Sequence, residues 1–331
     1  MNSVSLIIPI YNEEKYINGL LETILNQDYD SSKIELILVD GGSKDSTIEK
    51  IKKFLSNTDI KYILLSNPKK ITPISLNIGI KKSSNDIIIR LDAHSKYPKQ
   101  YISKCVYYIN KIKDADNVGC LIDTKSEGVV GNSIAYVLSS KFGVGNSNFR
   151  TNSDSCYVDT VPFGTFRREL FEKIGYFDER LIRNQDSEFN HRILKNGGKI
   201  YLFNDIKITY FPRNTIPKLI KMAYMNGKWN IYTTYLIPGS MKLRHFIPLM
   251  FVLSIVFGVL SVLLEWHIFA YLFLFEIILY AFLTICFSIK SGSFIKFVLC
   301  ILIYPLFHIS YGVGSLIGIF MTLMNKGEIL K

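Results

Sequence analysis

Cysteine is scarce in this chain: five in 331 residues (Cys105, Cys120, Cys156, Cys286 and Cys300), with no CxxC pair. That excludes a disulfide scaffold, gives no zinc-site spacing, and fits a reduced, cytoplasmic setting. The usual phosphate cradles are also missing. No GxGxxG follows the first predicted strand, and no GxxxxGK[ST] occurs anywhere. No block of five like charges appears, and no basic run is interleaved with aromatics, so no nucleic-acid partner is expected. Charge itself nearly vanishes from residues 245–331. They hold four cations (Lys290, Lys296, Lys326, Lys331) and three anions (Glu265, Glu276, Glu328).

What remains is two unlike parts. Residues 1–244 carry 35 of the 39 cations and 25 of the 28 anions, which makes most of the net charge of +11. Hydrophobic residues at 48% exclude a disordered chain. The first part reads as one basic α/β domain over 1–212, and its surplus of cations suits an anionic membrane surface as well as plain solvation. The start, MNSVSLIIPIYNEE, has no basic leader and too short an apolar run for a signal peptide, so a later hydrophobic span is expected to target the membrane.

Strand and helix alternate from residue 4 to about 113. Val4–Ile10, Ile34–Val39, Ile60–Leu65 and Ile87–Leu91 are short apolar runs, predicted as strands. Between them, Glu14–Asn26, the segment carrying Ile48, Ile51, Phe54 and Leu55, and Pro73–Lys82 have helical spacing. This order predicts βαβ units in a mostly parallel, Rossmann-like sheet. Beyond it lie an expected strand at 118–122, a polar loop at 143–157 that could order over a ligand, a helix at 186–196, and short strands within 199–211.

Residues 213–244 mix Lys218, Lys221, Lys228, Lys242 and Arg244 with Tyr224, Trp229, Tyr232 and Tyr235. They read as amphipathic helices in a membrane interface, with an ordinary packing helix as the alternative. Three spans are then expected within a membrane domain at 245–331, at 246–264, 268–289 and 297–324. Pro305 leaves open whether the last is one helix or a broken pair. Cations (Lys242 and Arg244) precede the first span and lie in the second loop (Lys290 and Lys296), but the first loop, Glu265-Trp266-His267, has none. This predicts a multi-pass protein of the cell (inner) membrane with its N-terminal domain in the cytoplasm. Gly314 and Gly318 form a small-xxx-small pattern suited to close helix packing. Glu276 is an intramembrane acid, expected to act functionally or to meet a packed polar group.

Ligands of parallel α/β sheets bind beyond the carboxyl ends of the strands. Three polar clusters fall there: Tyr11-Asn12-Glu13, Asp40, and Asp92-Ala93-His94. Asp92 can supply a hard oxygen to Mg²⁺ or Mn²⁺, and His94 would tilt the choice towards Mn²⁺. A hydrogen bond that orients Asp92 is the other reading of His94.

The segments SLIIPIYNEE (5–14), LVDGGSKDST (38–47), RLDAHSKYP (90–98), VPFGTFRRELFEKIGYFDE (161–179) and NQDSEFNHRILKNGG (184–198) together resemble glycosyltransferase family 2, which has the GT-A fold. The Asp-Ala-His form, followed by hydrophobic spans, resembles the membrane-bound succinoglycan-biosynthesis glucosyltransferases. The resemblance implies that Pro9, Tyr11 and Glu13 shape the nucleotide pocket, that Asp40 contacts the base or ribose, and that Asp92 binds the diphosphate through a metal. It implies an acceptor-side segment at Phe163, Gly164, Thr165 and Arg167, and a general base at Asp186. Gln185 stands where the family usually has an acid. Without the resemblance, Asp186 reads as a helix N-cap.

The expected activity is inverting, metal-dependent transfer from a nucleotide sugar, a UDP-hexose by family expectation, to a lipid-linked saccharide in exopolysaccharide or capsule assembly. The alternatives are a processive synthase, a polyprenyl-phosphate sugar synthase, and a non-catalytic assembly protein. Met225-Asn-Gly-Lys228-Trp229 is only a partial match to the Gln-x-x-Arg-Trp segment of processive synthases.

Overall fold

A computed structural model of the chain describes residues 2–151, 154–212 and 214–324. The expected polar loop therefore lies outside the described residues at 152–153, and the expected membrane domain does so at 325–331. The chain divides into two units. One comprises Met1–Asp123 and Asn152–Phe211; the other comprises Thr124–Thr151 and Pro212–Lys331.

The first unit begins as the alternating pattern predicts: β1 (Val4–Ile10), α1 (Ile17–Leu25), β2 (Ile34–Asp40), α2 (Thr47–Leu55), β3 (Lys61–Ser66), α3 (Thr72–Lys82) and β4 (Ile87–Arg90). β1 lies parallel to β2 and β4, with Val4 opposite both Ile34 and Ile87, and β2 lies parallel to β3. Leu6, Ile7, Ile8, Leu36, Ile37 and Leu38 are fully buried, as strands covered on both faces require.

The continuation is β5 (Ser95–Lys96), α4 (Tyr101–Lys111) and β6 (Ala115–Thr124). The chain then enters the second unit through α5 (Gly128–Ser139), α6 (Lys141–Val144) and α7 (Asn148–Thr151). It returns as β7 (Cys156–Tyr157), β8 (Thr165–Arg167), α8 (Arg168–Ile174), α9 (Gln185–Lys195) and β9 (Lys199–Tyr210). Among the described residues the sheet has nine strands, in the order β3-β2-β1-β4-β8-β6-β9-β5, with β7 on β9. The parallel order holds through β4. Beyond it, β8 runs antiparallel to β4 and β6, and β9 antiparallel to β5 and β7. The sheet is therefore mixed. The short strands expected within 199–211 are one twelve-residue strand, β9.

The second unit is helical. α10 (Ile216–Leu236) buries Leu219, Ala223, Gly227, Trp229, Asn230 and Thr233, while Lys218 and Lys221 stay exposed. It lies along the 31-residue α13 (Phe294–Met324), and α5 completes a shared core of Ile134, Val137, Leu219, Ala223, Ile303, Tyr304 and Phe307. Small residues let the backbones approach. A Cβ on Gly227 would sit 2.0 Å from the Tyr311 carbonyl oxygen, and one on Gly314 would sit 2.0 Å from that of Tyr224. Gly318 meets Lys228 in the same way. The Gly314–Gly318 pattern thus marks a close contact between helices.

Among the described residues, two helices are long and apolar enough to cross a membrane: α12 (His267–Ile289) and α13. α11 (Ile247–Leu263) is apolar but has only 17 residues, about 25 Å against a hydrocarbon core of roughly 30 Å. α13 runs through Pro305 as a single helix. Glu276 of α12 accepts a hydrogen bond from Ser254 Oγ of α11 at 2.7 Å, so this acid meets a packed polar group.

Candidate active site

The first two motifs are stitched to each other where β1 and β2 end. Asn12 N donates to Ser43 Oγ (2.9 Å), Glu13 N to Thr47 Oγ1 (2.7 Å) and Glu14 N to Asp45 Oδ2 (3.2 Å). In return, Lys44 N donates to Asn12 Oδ1 (2.9 Å), and Ser46 donates through N and Oγ to Glu14 Oε2. Asn12 adopts φ 55°, a left-handed conformation that Asn tolerates better than most residues. YNEE and GGSKDST are thus two halves of one clamp. Asp40 works inside it. Its carboxylate accepts from Gly42 N and from Ser43 N and Oγ, fixing the turn after β2.

Asp45 is held below its ordinary range. Burial opposes this, but hydrogen bonds from Thr47 and from the Glu14 amide prevail. Glu14 is lowered chiefly by hydrogen bonds from Ser46. Both folded values lie below the unfolded ones, so the clamp's contribution is complete above about pH 4–5 and is lost as pH falls through the depressed values. The melting temperature of the wild type is expected to fall more steeply between about pH 5 and pH 3 than that of Asp45→Asn. Thermal unfolding across that range checks this, and parallel curves would exclude the clamp as a source of acid sensitivity.

Beside the clamp, one cleft is lined by Pro9, Tyr11, Glu13, Gly41, Lys70, Arg90, Asp92 and His94, among others. The structure therefore brings together five of the residues expected on the donor side, Pro9, Tyr11, Glu13, Asp92 and His94. Asp40 sits behind them in the turn, with Gly41 facing the cleft. Asp92 is fixed by its own motif: its Oδ1 accepts from His94 N (2.9 Å), and its backbone N donates to Tyr97 Oη (2.6 Å). Burial and the neighbouring Asp92 charge raise the Tyr97 pKa, so that phenol stays neutral. His94 Nδ1 lies 2.9 Å from Glu13 Oε2. It is thus the His94 backbone that orients Asp92, while its ring faces Glu13.

Asp186 reaches the same region from another direction. Asn184, in a left-handed conformation, is the N-cap of α9, and Gln185 and Asp186 lie in the first turn. Asp186 is therefore not the cap. Its carboxylate pairs with the guanidinium of Arg90, the last residue of β4. Burial works against the Arg90 charge, but Asp186 and Asp92 more than offset this and hold it protonated. The guanidinium also lies 5.3 Å from the ring centroid of Phe163.

α9 is pinned independently of that pair. Asn190 donates to Thr160 Oγ1 (2.8 Å) and the Val161 carbonyl (3.0 Å), and accepts from Asn117 (2.7 Å). Arg192 pairs with Glu188 and donates to the Ile174 and Tyr176 carbonyls at 2.8 Å. Asn77 of α3 bonds the Phe177 backbone on the approach to α9.

The expected acceptor-side residues divide. Phe163 has φ 51°, and its carbonyl accepts from Tyr101 Oη. Gly164 gives its carbonyl to Arg90 N (3.1 Å), and a Cβ there would lie 2.3 Å from Asn117 Oδ1, so only glycine fits. Thr165 is fully buried opposite Ile89. Arg167 lies opposite Ile87, the first residue of β4, and donates to the Ile109 carbonyl of α4. The structure does not bring Arg167 to the cleft. Arg90 and Lys70 were not among the expected site residues. The signal for Arg90 was a lone cation closing the otherwise apolar run Ile87-Ile88-Ile89. Nothing in the sequence marked Lys70, whose Nζ lies 5.7 Å from the Tyr11 ring centroid.

Among the described residues, no three His, Cys, Asp or Glu side chains form a ready metal cage. A Mg²⁺-type site needs less than that. One or two carboxylates and the substrate's own phosphates suffice. Asp92, with the buried Glu13 and His94 beside it, meets that requirement.

The chain matches the family described as Glycosyl transferase family 2 over residues 5–175, and it belongs to that family. It is a glycosyltransferase. The match ends before Asp186. A dolichyl N-acetyl-alpha-D-glucosaminyl phosphate 3-beta-D-2,3-diacetamido-2,3-dideoxy-beta-D-glucuronosyltransferase of Methanococcus voltae is 32% identical over 234 residues, covering 69% of this chain and 72% of that one. The succinoglycan biosynthesis protein ExoA of Rhizobium meliloti is 29% identical over 266 residues, covering 79% and 78%. The solved structure of the mannosyltransferase PcManGT from Pyrobaculum calidifontis, in complex with GDP-Man and Mn²⁺, shares the fold. It has a TM-score of 0.62 at 17% identity, over 91% of this chain and 86% of that one.

Proposed function

We propose that the chain is an inverting, metal-dependent glycosyltransferase. It moves one sugar from a nucleotide sugar, a UDP-hexose, to a lipid-linked saccharide in exopolysaccharide or capsule assembly. The observation that carries this reading is the buried guanidinium of Arg90, which pairs with Asp186 and lines the same cleft as Asp92. One carboxylate suits an acceptor hydroxyl and the other a donor diphosphate, and the hydroxyl oxygen and the donor C1 must meet between them. The relatives support the acceptor class: one is named for succinoglycan biosynthesis, and the other for transfer to a dolichyl-linked sugar phosphate.

In this reading Asp186 takes the proton of the acceptor hydroxyl as it attacks C1 of the donor sugar. A single in-line displacement inverts the anomeric centre. Asp92 and His94 would hold Mn²⁺ or Mg²⁺, which when bound supplies positive charge to the departing diphosphate. Pro9, Tyr11 and Glu13 wall the nucleotide pocket, and Asp40 keeps the Gly41–Ser43 turn against it. Phe163, Gly164 and Thr165 are the acceptor-side segment in this proposal, with Gln185 beside the base.

The proposed organisation is a catalytic domain over 1–212, interfacial amphipathic helices over 213–244, and three spans in the cell membrane with the catalytic domain cytoplasmic. α11 is the third span in this reading, admitted by its apolar composition. Such anchoring would keep the enzyme beside a lipid acceptor.

The test is a donor screen on the full chain in detergent. It uses UDP-, GDP- and TDP-sugars, membrane-lipid extract as acceptor, and Mn²⁺, Mg²⁺ or EDTA. Release of one nucleoside diphosphate that requires the metal is expected. Full turnover in EDTA would overturn the metal role.

A further inference from the structure

We propose that Arg90 is a positioning residue for the base: its guanidinium fixes the Asp186 carboxylate between the acceptor side and Asp92. This rests on the base role proposed for Asp186. Arg90 closes β4 and is 5% exposed. It has Asp186 as its ion-pair partner, the charge of Asp92 close by, and the ring of Phe163 beneath it.

Stability does not explain this residue. A buried ion pair is often no better than well-packed apolar groups, because desolvating two charges offsets their attraction. Ile87, Ile88 and Ile89 precede it, so an apolar residue would complete the strand without that cost. The buried Nε–H of Arg90, which has no hydrogen-bond partner among the described residues, adds a further one.

Docking of α9 does not explain it either. Asn190, Arg192 and Asn77 already tie that helix and its approach to the sheet domain. What Arg90 alone does is draw the Asp186 carboxylate from the helix N-terminus towards β4. A planar guanidinium restricts where a paired carboxylate can lie, which a flexible ammonium does less well.

The experiment compares Arg90→Met and Arg90→Lys in the wild-type and Asp186→Asn backgrounds. It uses the full chain, the panel donor that turns over, and the corresponding nucleoside diphosphate with Mn²⁺ as binding probe. Arg90→Met is expected to lower kcat about 10²-fold, as a misplaced catalytic group does. Nucleoside diphosphate affinity should stay within about two-fold, which separates positioning from binding. Arg90→Lys should restore part of kcat. In the Asp186→Asn background, Arg90→Met should add nothing, because residues acting as one unit are not additive.

An equal further loss in both backgrounds would overturn the proposal, as would full kcat in Arg90→Met. If Arg90→Met does not fold, the kcat of Arg90→Lys, reduced or not at unchanged affinity, decides. The two readings fail differently. Wild-type turnover by Asp186→Asn would remove the base and this proposal with it. Wild-type turnover by the Arg90 variants alone would leave the base standing.

Discussion

Asp186→Asn is expected to lower sugar transfer by about 10²–10⁴-fold, the span typical of losing a general base. The replacement keeps the volume and removes the proton acceptor. The Asp186 side chain is 27% exposed, so an acceptor hydroxyl can reach it while Arg90 holds it from the buried side. Nucleotide binding should change little, because the cleft residues around Pro9, Tyr11 and Asp92 come from other elements. Stability should fall, because Arg90 is left buried with a neutral partner, and an uncompensated buried charge costs up to about 3–5 kcal/mol. Initial rates of transfer, donor calorimetry and thermal unfolding of the same preparation separate these effects. Wild-type transfer by Asp186→Asn would end its assignment as base.

Asp92→Asn should act on the other half of the reaction. Metal-assisted donor binding is expected to weaken by at least about 10–100-fold, as when metal-site residues are lost. Binding without metal should change little. The backbone of the motif should survive, because an Asn side-chain oxygen can still accept from His94 N, and Tyr97 still holds the Asp92 amide. Calorimetry with and without Mn²⁺ measures this directly. Equal donor affinity in the wild type and the variant, with metal present, would show that Asp92 does not carry the metal.

The parallel half of the domain was legible because its strands are apolar runs of the right length, three of them closed by a polar cluster. The cleft was legible for the same reason: Pro9, Tyr11, Glu13, Asp92 and His94 all sit at strand ends. The antiparallel half was not. β8 has three residues and β7 two, too few for any periodicity to register. α5, whose apolar face packs on α10 and α13, lies in a stretch of Gly, Val and Ser with little amphipathic contrast. Arg167 was expected at the site because it neighbours Phe163 and Gly164 in sequence. Two residues along an extended strand carried it to the far end of β4 instead. Arg90 was hidden for the opposite reason. Its partner lies 96 residues away, and no local pattern announces a pairing of that kind.

α10 combines a composition suited to an interface with one face packed on α13. Its cations and aromatics suggest an interface. Yet Ala223, Gly227, Asn230 and Thr233 form a stripe of small and polar residues that lets it lie against α13. The cations Lys218 and Lys221 are what remains on the outside.

The most direct measurement is the product of the donor screen, identified by mass spectrometry and by the anomeric coupling in its NMR spectrum. The prediction is a lipid-linked acceptor extended by one sugar, joined through a β-glycosidic bond from an α-linked donor, formed only when Mn²⁺ or Mg²⁺ is present. An α-linked product, a long polymer, or the same product in EDTA would contradict it.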